Sequence, residues 1–255
     1  MKKIRVGQLG FGKTGRAVSS VLLESDKVEL KWVLRKSKQL EYRSVGEFLG
    51  IASSNQDNQG LIYSAQAYSA TQILDKMPVD VIVDFSSEDG VDYYGEEIKK
   101  RSITLITAIS SYCTEKTQYV KNIAQYTRVV CSPNITLGVN FLMMASKILK
   151  KIAPYADVEI IEEHFKQKKE VSGTAKILAN ALDVPQDAIK SIRAGGIIGA
   201  HEILFGFPYQ IVRLRHESIS REAFGNGIIF VLENLPDVQS GFFTMEDLLQ
   251  PHFTL

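Results

Sequence analysis

Gly10-Phe11-Gly12-Lys13-Thr14-Gly15 follows an apolar run, Ile4 to Leu9, and precedes a stretch with helical apolar spacing, Arg16 to Leu23. The spacing is Gly-x-Gly-x-x-Gly between a predicted strand and a predicted helix, the context in which this pattern indicates dinucleotide binding. The glycines there allow a tight turn, close approach of the backbone to a pyrophosphate and close packing of helix on strand. We therefore predict that these six residues contact a dinucleotide cofactor; the alternative is a tight turn without a ligand.

The second predicted strand, Val28 to Leu34, ends in Arg35-Lys36-Ser37. An enzyme that binds NAD usually has an acidic residue near this point, which holds the ribose 2′-hydroxyl. Two cations and a hydroxyl suit the 2′-phosphate of NADP instead. We predict that Arg35 and Lys36 bind that phosphate, so that NADPH is preferred and NADH is a possible second cofactor. The alternative is that both are ordinary surface charges.

Strand and helix signals alternate along the rest of the first half. The predicted strands are Val79 to Phe85, Ile103 to Ile109 and Arg128 to Cys131, and the predicted helices are Gly90 to Arg101 and Thr114 to Gln125. This alternation favours a parallel sheet with helices on both faces, in which ligands bind beyond the carboxyl ends of the strands. Phe85 and Ser86 at the end of one strand, and Ala108 and Ser110 at the end of the next, are therefore candidate cofactor contacts.

A break in this pattern follows at Pro133 and Asn134, where we predict a hinge. The later runs are a helix from Asn140 to Ile152, a strand from Val158 to Ile161, a helix from Lys176 to Leu182, three strands at Ala188 to Ala194, His201 to Phe207 and Gln210 to His216, a helix that opens at Ser220 and ends at Leu235, and an amphipathic run from Gly241 to Leu249. The short turns between the three strands favour an antiparallel or mixed sheet.

The stretch from Glu162 to Ala175 concentrates groups that bind anions and exchange protons. His164 is the only side chain in it that titrates near neutrality without help, and Lys168 and Lys169 add positive charge. Ser172 or Thr174 is placed to cap the following helix, whose first N–H groups attract a carboxylate. We predict a site for a small anionic substrate that exchanges a proton; the alternative is a solvated connection between strand and helix.

Composition argues against several other classes of function. Lys plus Arg number 30 and Asp plus Glu number 29, so the chain has no general attraction for nucleic acid or anionic membranes. Cys113 and Cys131 form neither a disulfide framework nor a metal-ligand spacing, and we expect no metal. We find no apolar stretch long enough to span a bilayer and no secretory segment, so we expect a cytoplasmic protein. The polar stretch Ser53 to Gly60 is predicted to be a surface loop.

Together these motifs resemble the dihydrodipicolinate reductase (4-hydroxy-tetrahydrodipicolinate reductase) family of the bacterial lysine and diaminopimelate pathway. The resemblance covers nearly the whole chain in order. The segments that carry it are Gly10 to Arg16, Val83-Asp84-Phe85-Ser86, Pro133-Asn134 with Gly138-Val139-Asn140, Glu159 to Glu162, His164 with Lys168, Ser172-Gly173-Thr174-Ala175, Arg193-Ala194-Gly195 with Gly199-Ala200-His201, His216 with Ser220-Arg221 and Phe224, and Met245-Glu246-Asp247.

The resemblance implies an α/β fold with two domains. The first is a Rossmann-type dinucleotide-binding domain, residues 1–133 and 218–255. The second is an α+β substrate-binding and oligomerisation domain with a mixed open sheet, residues 134–217. The resemblance also implies a homotetramer that uses NAD(P)H to reduce a cyclic imine dicarboxylate to tetrahydrodipicolinate.

The resemblance further implies roles for single residues. His164 is expected to act as an acid beside the substrate ring, and Lys168 to protonate or polarise it. A substrate carboxylate is expected to bind to three consecutive residues, Ser172, Gly173 and Thr174. Arg221, at the second hinge, is expected to tie the domains together or to contact the cofactor or the substrate.

The chain departs from the family's pattern in the substrate region. Phe165 stands where the family has a second histidine. The segment before Ser172 is one residue shorter and lacks a proline, which leaves Lys168 and Lys169 as alternatives for the catalytic lysine. Ala108 to Ser111 replaces a Gly-Thr-Thr-Gly loop. Two other functions therefore stay open: reduction of another cyclic imine or keto acid, and a catalytically silent NADP-binding regulatory protein.

Overall fold

The computed structural model describes residues 2–51 and 60–253, so most of the predicted surface loop from Ser53 to Gly60 lies outside the described residues. Within the chain, clustering of contacts separates two compact units. Unit 1 comprises Met1–Ile135 and Phe224–Leu255, and unit 2 comprises Thr136–Ala223.

Unit 1 contains a parallel sheet of seven strands among its described residues, in the order β11-β6-β5-β4-β1-β2-β3. The strands are β1 Ile4–Leu9, β2 Val28–Arg35, β3 Leu61–Ser64, β4 Val81–Asp84, β5 Thr104–Thr107, β6 Arg128–Cys131 and β11 Gly241–Phe243. All four residues of β4 and of β5 are buried. Burial on both faces is the usual condition of a parallel strand, and it explains the nearly unbroken apolar runs in the sequence.

The strand order of the sheet changes direction between β1 and β4: β2 and β3 lie on one side of β1, and β4, β5 and β6 lie on the other. Strands β1 and β4 pair in parallel, and Leu9 lies opposite Asp84 in the register. The backbone N–H of Phe85 continues the pairing by donating to the carbonyl of Leu9 at 2.9 Å. The loops that follow β1 and β4 therefore lie side by side at the point where ligands bind in sheets of this type.

The helices of unit 1 connect these strands. They are α1 Lys13–Glu24, α2 Val45–Leu49, α3 Ala70–Lys76, α4 Gly90–Arg101, α5 Thr114–Ile123 and α9 Met245–Leu249, and α8 Glu222–Glu233 begins just before the unit resumes. One hydrophobic core joins α3, α4 and α5 to the sheet through residues such as Leu74, Ile98 and Ile123, all of them buried. Burial of these apolar side chains is the main force that holds the helices on the sheet.

Unit 2 contains a mixed sheet of four strands in the order β10-β9-β7-β8. Its strands are β7 Asp157–His164, β8 Lys190–Arg193, β9 Ala200–Phe207 and β10 Gln210–Glu217, and its helices are α6 Leu137–Ile152 and α7 Gly173–Ala181. Strand β7 pairs in parallel with β8 and antiparallel with β9. A core that includes Leu142, Ile160, Leu178 and Phe205 packs the two helices on this sheet. The α/β fold class with a second, mixed sheet is confirmed.

Several predicted boundaries were wrong, and each has a local cause. Helix α7 begins at Gly173 and not at Lys176, because the hydroxyl of Ser172 caps it by accepting from the N–H of Ala175 at 2.9 Å. Strand β7 continues past Ile161 to His164, because it keeps pairing with β8. The three-residue strand β11, which pairs with β6, was predicted only as part of an amphipathic run.

Candidate active site

The three glycines of the turn after β1 differ in the space around them. Gly10 has φ +91°, and a Cβ there would lie 2.5 Å from the carbonyl oxygen of Phe85. A Cβ on Gly15 would lie 2.3 Å from the carbonyl oxygen of Gly10. A Cβ on Gly12 would meet no atom of the described residues within 4 Å. The close approaches at Gly10 and Gly15 leave no room for a side chain, whereas the backbone at Gly12 has open space beside it.

The turn is braced by Gln8, which the sequence analysis missed. Its side chain is fully buried in β1. The amide donates to the carbonyl oxygens of Gly10 at 2.9 Å and Gly15 at 2.8 Å, and its oxygen accepts from the hydroxyl of Ser19. A polar residue inside an apolar strand immediately before a glycine turn is the sequence signal that indicates such a brace.

A cavity of about 790 Å³ opens beside this turn. Seven of the predicted cofactor contacts lie on its wall: Gly10, Phe11, Gly12, Arg35, Lys36, Phe85 and Ser86. Lys13 and Thr14 begin α1, and Gly15 is buried under the turn. This cavity has the volume of a small-molecule site and lies at the carboxyl ends of the central strands.

The remaining predicted cofactor contacts lie elsewhere. Ser110 lines a separate cavity of about 180 Å³ in unit 1. Ala108 donates its backbone N–H to the carbonyl of Asp84 at 3.1 Å, which places it at the end of β4. Arg221 belongs to unit 2, so its predicted cofactor contact stays a prediction.

The end of β2 offers the cavity two cations and an unused hydroxyl. Arg35, Lys36 and Ser37 all line the cavity. The guanidinium of Arg35 donates to the carbonyl of Gln39 at 2.9 Å, which fixes its position. The Ser37 hydroxyl is buried and finds no hydrogen-bond partner within the described part of the chain. Unpaired buried hydroxyls are rare in folded proteins, so this group stands out as a candidate for a hydrogen bond with a ligand.

The loop after β4 is held by Asp84. Its carboxylate is fully buried and accepts from the backbone and hydroxyl of Ser86 and from the hydroxyl of Tyr94. Burial raises the pKa of Asp84, and the hydrogen bonds from Ser86 and Tyr94 partly offset that effect. These contacts fix Phe85 and Ser86 on the cavity wall.

In unit 2, strand β7 presents a buried acid and a buried imidazole on one face. Glu162 is fully buried and His164 is 8% exposed. Nδ1 of His164 is hydrogen-bonded to the carboxylate of Glu162. Burial lowers the pKa of His164, and the neighbouring Glu162 opposes that effect without cancelling it. The imidazole of the free protein is therefore mainly neutral at neutral pH.

The segment that follows β7 is tied down by Arg193. Its guanidinium donates to the carbonyl oxygens of Lys168 at 2.9 Å and Glu170 at 3.0 Å, and it also forms an ion pair with Glu162. The carbonyl of Phe165 accepts from the backbone N–H of Lys168 at 3.0 Å. The position of this segment is therefore linked to the buried carboxylate.

The two candidate lysines differ in their surroundings. Lys168 is half-buried, and its charge contributes to lowering the pKa values of both His164 and His201. Lys169 is exposed. The structure thus brings Lys168 near His164.

The N-terminus of α7 is the last part of the candidate site in unit 2. Ser172 is buried, and its hydroxyl lies 2.8 Å from Nε2 of His201, a contact that the sequence analysis missed. Gly173 has open space where a Cβ would stand, and the half-buried Thr174 follows it in the first turn. Helix N-termini carry partial positive charge, so this turn suits a carboxylate. Within the described residues, no group of three or more His, Cys, Asp or Glu side chains is arranged to hold a metal.

Comparison with known families decides what these two sites belong to. A family model described as the N-terminus of dihydrodipicolinate reductase matches residues 4–135, and one described as its C-terminus matches residues 135–249. The chain belongs to the dihydrodipicolinate reductase family. The resemblance stated from the sequence is confirmed, and as a family member this reductase is an NAD(P)H-dependent oxidoreductase of lysine and diaminopimelate biosynthesis.

Individual relatives agree with this assignment. The chain is 29% identical over 197 residues to a 4-hydroxy-tetrahydrodipicolinate reductase of Caldanaerobacter subterraneus subsp. tengcongensis, with 69% of this chain and 78% of the relative covered. It is 30% identical over 203 residues to the enzyme of the same description from a Clostridium perfringens strain, with 68% and 78% covered. A solved dipicolinate-bound dihydrodipicolinate reductase from Paenisporosarcina sp. TG-14 has the same fold, with a TM-score of 0.77 at 22% identity over 96% of this chain and 99% of that one.

One further structural finding concerns membranes. Among the helices of the described residues, none combines the length and apolar character that crossing a bilayer requires.

Proposed function

We propose that this chain reduces 4-hydroxy-tetrahydrodipicolinate to tetrahydrodipicolinate, with hydride supplied by NADPH. The substrate loses its hydroxyl as water, and its ring gains one hydride and one proton. The cofactor supplies the hydride chemistry, so the protein must bind, orient and protonate. The observation that carries the proposal is that His164, Lys168 and the capped turn at Ser172 lie together in a member of this reductase family.

Unit 1 is the dinucleotide-binding part in this proposal. The open side of Gly12 lets the pyrophosphate approach the backbone at the start of α1, where the first N–H groups are available. Arg35, Lys36 and the unpaired hydroxyl of Ser37 bind the 2′-phosphate. NADPH is therefore the preferred cofactor, with NADH as the weaker alternative.

Unit 2 is the substrate-binding part. Ser172, Gly173 and Thr174 bind one carboxylate at the N-terminus of α7, where the helix dipole lowers the energetic cost of its charge. The solved relative from Paenisporosarcina sp. TG-14 is described as binding dipicolinate, a dicarboxylate. This supports a dicarboxylate as the ligand of the present chain.

The proton comes from Lys168 in this mechanism. Lys168 is a cation beside a mainly neutral His164, and Lys169 is more exposed. A dicarboxylate that binds here adds two negative charges, which attract the ammonium of Lys168. Lys168 then donates to the ring as His164 holds the substrate or the ammonium by a hydrogen bond.

The proposal includes the homotetramer and the cytoplasmic location expected from the sequence. Strand β10 is an edge of the sheet in unit 2 and exposes Ile211, which supports pairing through this face. Analytical ultracentrifugation tests the assembly, and a monomer would contradict that part of the proposal.

The test is the oxidation of NADPH on addition of freshly generated 4-hydroxy-tetrahydrodipicolinate, with the product identified by mass. We expect turnover that pyridine-2,6-dicarboxylate inhibits competitively. Phe165, which is 38% exposed where the family has a histidine, is the feature that favours a different cyclic imine. If the protein reduces another imine and not 4-hydroxy-tetrahydrodipicolinate, that imine becomes the assigned substrate. If it binds the cofactor but reduces no imine, a regulatory role is favoured.

A further inference from the structure

We propose that Glu162 is a positioning residue, which fixes His164 as the tautomer with its proton on Nδ1 and presents Nε2 as a hydrogen-bond acceptor. The inference rests on the proposed function only in placing His164 beside the substrate. Its structural part concerns the free protein and is tested there.

Three hydrogen-bond donors surround the carboxylate of Glu162. The carboxylate is fully buried, and it is hydrogen-bonded to the guanidinium of Arg193, the hydroxyl of Ser191 at 2.6 Å and Nδ1 of His164. Burial by itself raises the pKa of Glu162, but these hydrogen bonds outweigh it and leave the pKa lowered. An ionised carboxylate can only accept hydrogen bonds, so Nδ1 must carry a proton.

The charges around the His164 ring determine whether its other nitrogen, Nε2, carries a proton. The charged and titratable groups that face this imidazole are Glu162 on its own strand, Lys168 on the following segment, Arg193 on β8 and His201 on β9. Burial and the two cations lower the pKa of His164 more than Glu162 raises it. A neutral ring has one proton, and that proton is on Nδ1, so Nε2 is unprotonated.

The glycine at position 199 lies on the Nε2 side of the His164 ring. A Cβ added to Gly199 would lie only 3.0 Å from Nε2. The glycine therefore leaves room for a donor. A neutral acceptor cannot protonate the substrate ring, so the proton must come from Lys168, and Nε2 orients the lysine ammonium or a donor of the substrate. A buried acid that holds an imidazole in one tautomer is a known way to set its role.

The same carboxylate also affects Lys168 through the backbone. Arg193, which pairs with Glu162, donates to the carbonyls of Lys168 and Glu170. Neutralising Glu162 weakens this pairing and loosens the segment that carries the proton donor.

The decisive variant is Glu162→Gln. One oxygen of Glu162 is bonded to both Arg193 and Ser191, and the other to His164. In the variant the glutamine oxygen stays with Arg193 and Ser191, so the NH₂ group faces Nδ1 of His164. An amide can only donate there, and the ring is forced into the opposite tautomer.

The measurement is nitrogen-15 NMR of the imidazoles in the full-length protein, which has four histidines. His164→Asn serves only to assign the signals. We expect wild type to show a protonated Nδ1 and an unprotonated Nε2, and Glu162→Gln to show the reverse. Wild type with the proton on Nε2 would overturn the inference, and so would an unchanged tautomer in folded Glu162→Gln.

Kinetics provide the second readout. Glu162→Gln should lower kcat by about 10- to 100-fold, with NADPH affinity unchanged. Glu163→Gln is the matched control, because Glu163 points away and pairs with Arg215; it should change kcat less than about twofold. If Glu162→Gln fails to fold, the tautomer of His164 in the wild-type protein still decides whether the inference is correct. A wild type with the expected tautomer but no turnover would refute the proposed function and leave this inference standing.

Discussion

The hydroxyl oxygen of Ser172 lies 2.8 Å from Nε2 of His201 and also accepts the backbone N–H of Ala175 at 2.9 Å. When Nε2 donates, both acceptor positions of the hydroxyl are used, and its own proton is left for a substrate carboxylate. Nδ1 of His201 is buried and finds no partner in the described structure, which agrees with an unprotonated Nδ1. His201 is therefore placed to orient the Ser172 hydroxyl.

Ser172→Ala should raise KM for the dicarboxylate about tenfold, with a smaller effect on kcat, because a ground-state hydrogen bond to a charged group is lost. It should also cost about 1 kcal/mol of stability, because the cap of α7 is lost. The control is Ser69→Ala, which removes the cap of α3 in unit 1. That variant should show the same loss of stability with KM unchanged, whereas a raised KM in both variants would refute the role of Ser172. Steady-state kinetics and urea denaturation measure the two effects.

The pH dependence of stability should carry a contribution from His201. Burial lowers the pKa of His201 from 6.5 to about 4. The unfolded chain thus binds a proton between pH 6.5 and 4 that the folded chain excludes, so stability falls as the pH falls through that window. The loss reaches about 3 kcal/mol at most.

Urea denaturation at pH 7 and pH 5 tests this contribution in wild type and in His201→Gln. The other titrating groups are the same in both proteins, so the difference isolates His201. Wild type should lose more stability than the variant between the two pH values, and equal losses would show that His201 is not held neutral.

Lys168→Ala should lower kcat by about 100-fold or more, because general acid catalysis commonly contributes that much. The affinity for NADPH, measured by fluorescence titration, should not change. Lys169→Ala is the control and should retain nearly full activity, since this side chain is exposed. The opposite result, loss in Lys169→Ala alone, would assign the proton donor to Lys169.

Replacing Arg35 and Lys36 together with alanine should weaken NADPH about tenfold or more, because charge-assisted hydrogen bonds to the 2′-phosphate are lost. Binding of NADH, which has no such phosphate, should hardly change. Lys38→Ala is the control: it is an exposed cation two residues away that does not line the cavity in the described structure. An unchanged ratio of the two affinities in the double variant would contradict the cofactor preference.

Gly12→Ala and Gly15→Ala should separate binding from folding. A Cβ at Gly12 meets no atom within 4 Å in the described part of the chain, so Tm should stay unchanged while NADPH affinity falls about tenfold or more. A Cβ at Gly15 lies 2.3 Å from a backbone oxygen, so Gly15→Ala should lose roughly 1–3 kcal/mol of stability. Thermal melts and cofactor titrations check both, and full NADPH affinity in Gly12→Ala would place the pyrophosphate elsewhere.

Features set by local sequence were predictable. The turn after Leu9 and helix α4, Gly90–Arg101, were predicted because glycine spacing and apolar periodicity act over a few residues. Strand β11 was not recognised, because three residues are too few to show a periodic apolar pattern and its partner β6 lies far away in the sequence. The pairing of Ser172 with His201 likewise depends on how β9 and α7 come together.

The hydrogen bond between Glu162 and His164 has a signal in the sequence. Ile160, Glu162 and His164 alternate along β7, so all three share one face of the strand. Because Ile160 belongs to the core, that face is buried, and a buried acid two residues from a histidine predicts a hydrogen bond between them. Its second partner, Arg193 on β8, could not be predicted without the register of the sheet.

The most direct test of the central claim is a crystal structure of the protein with NADPH and pyridine-2,6-dicarboxylate. We predict one carboxylate about 3 Å from the Ser172 hydroxyl and the first N–H groups of α7, with the ammonium of Lys168 beside the ring nitrogen. A dicarboxylate bound away from Ser172, Gly173 and Thr174, or met by Lys169 in place of Lys168, would contradict it.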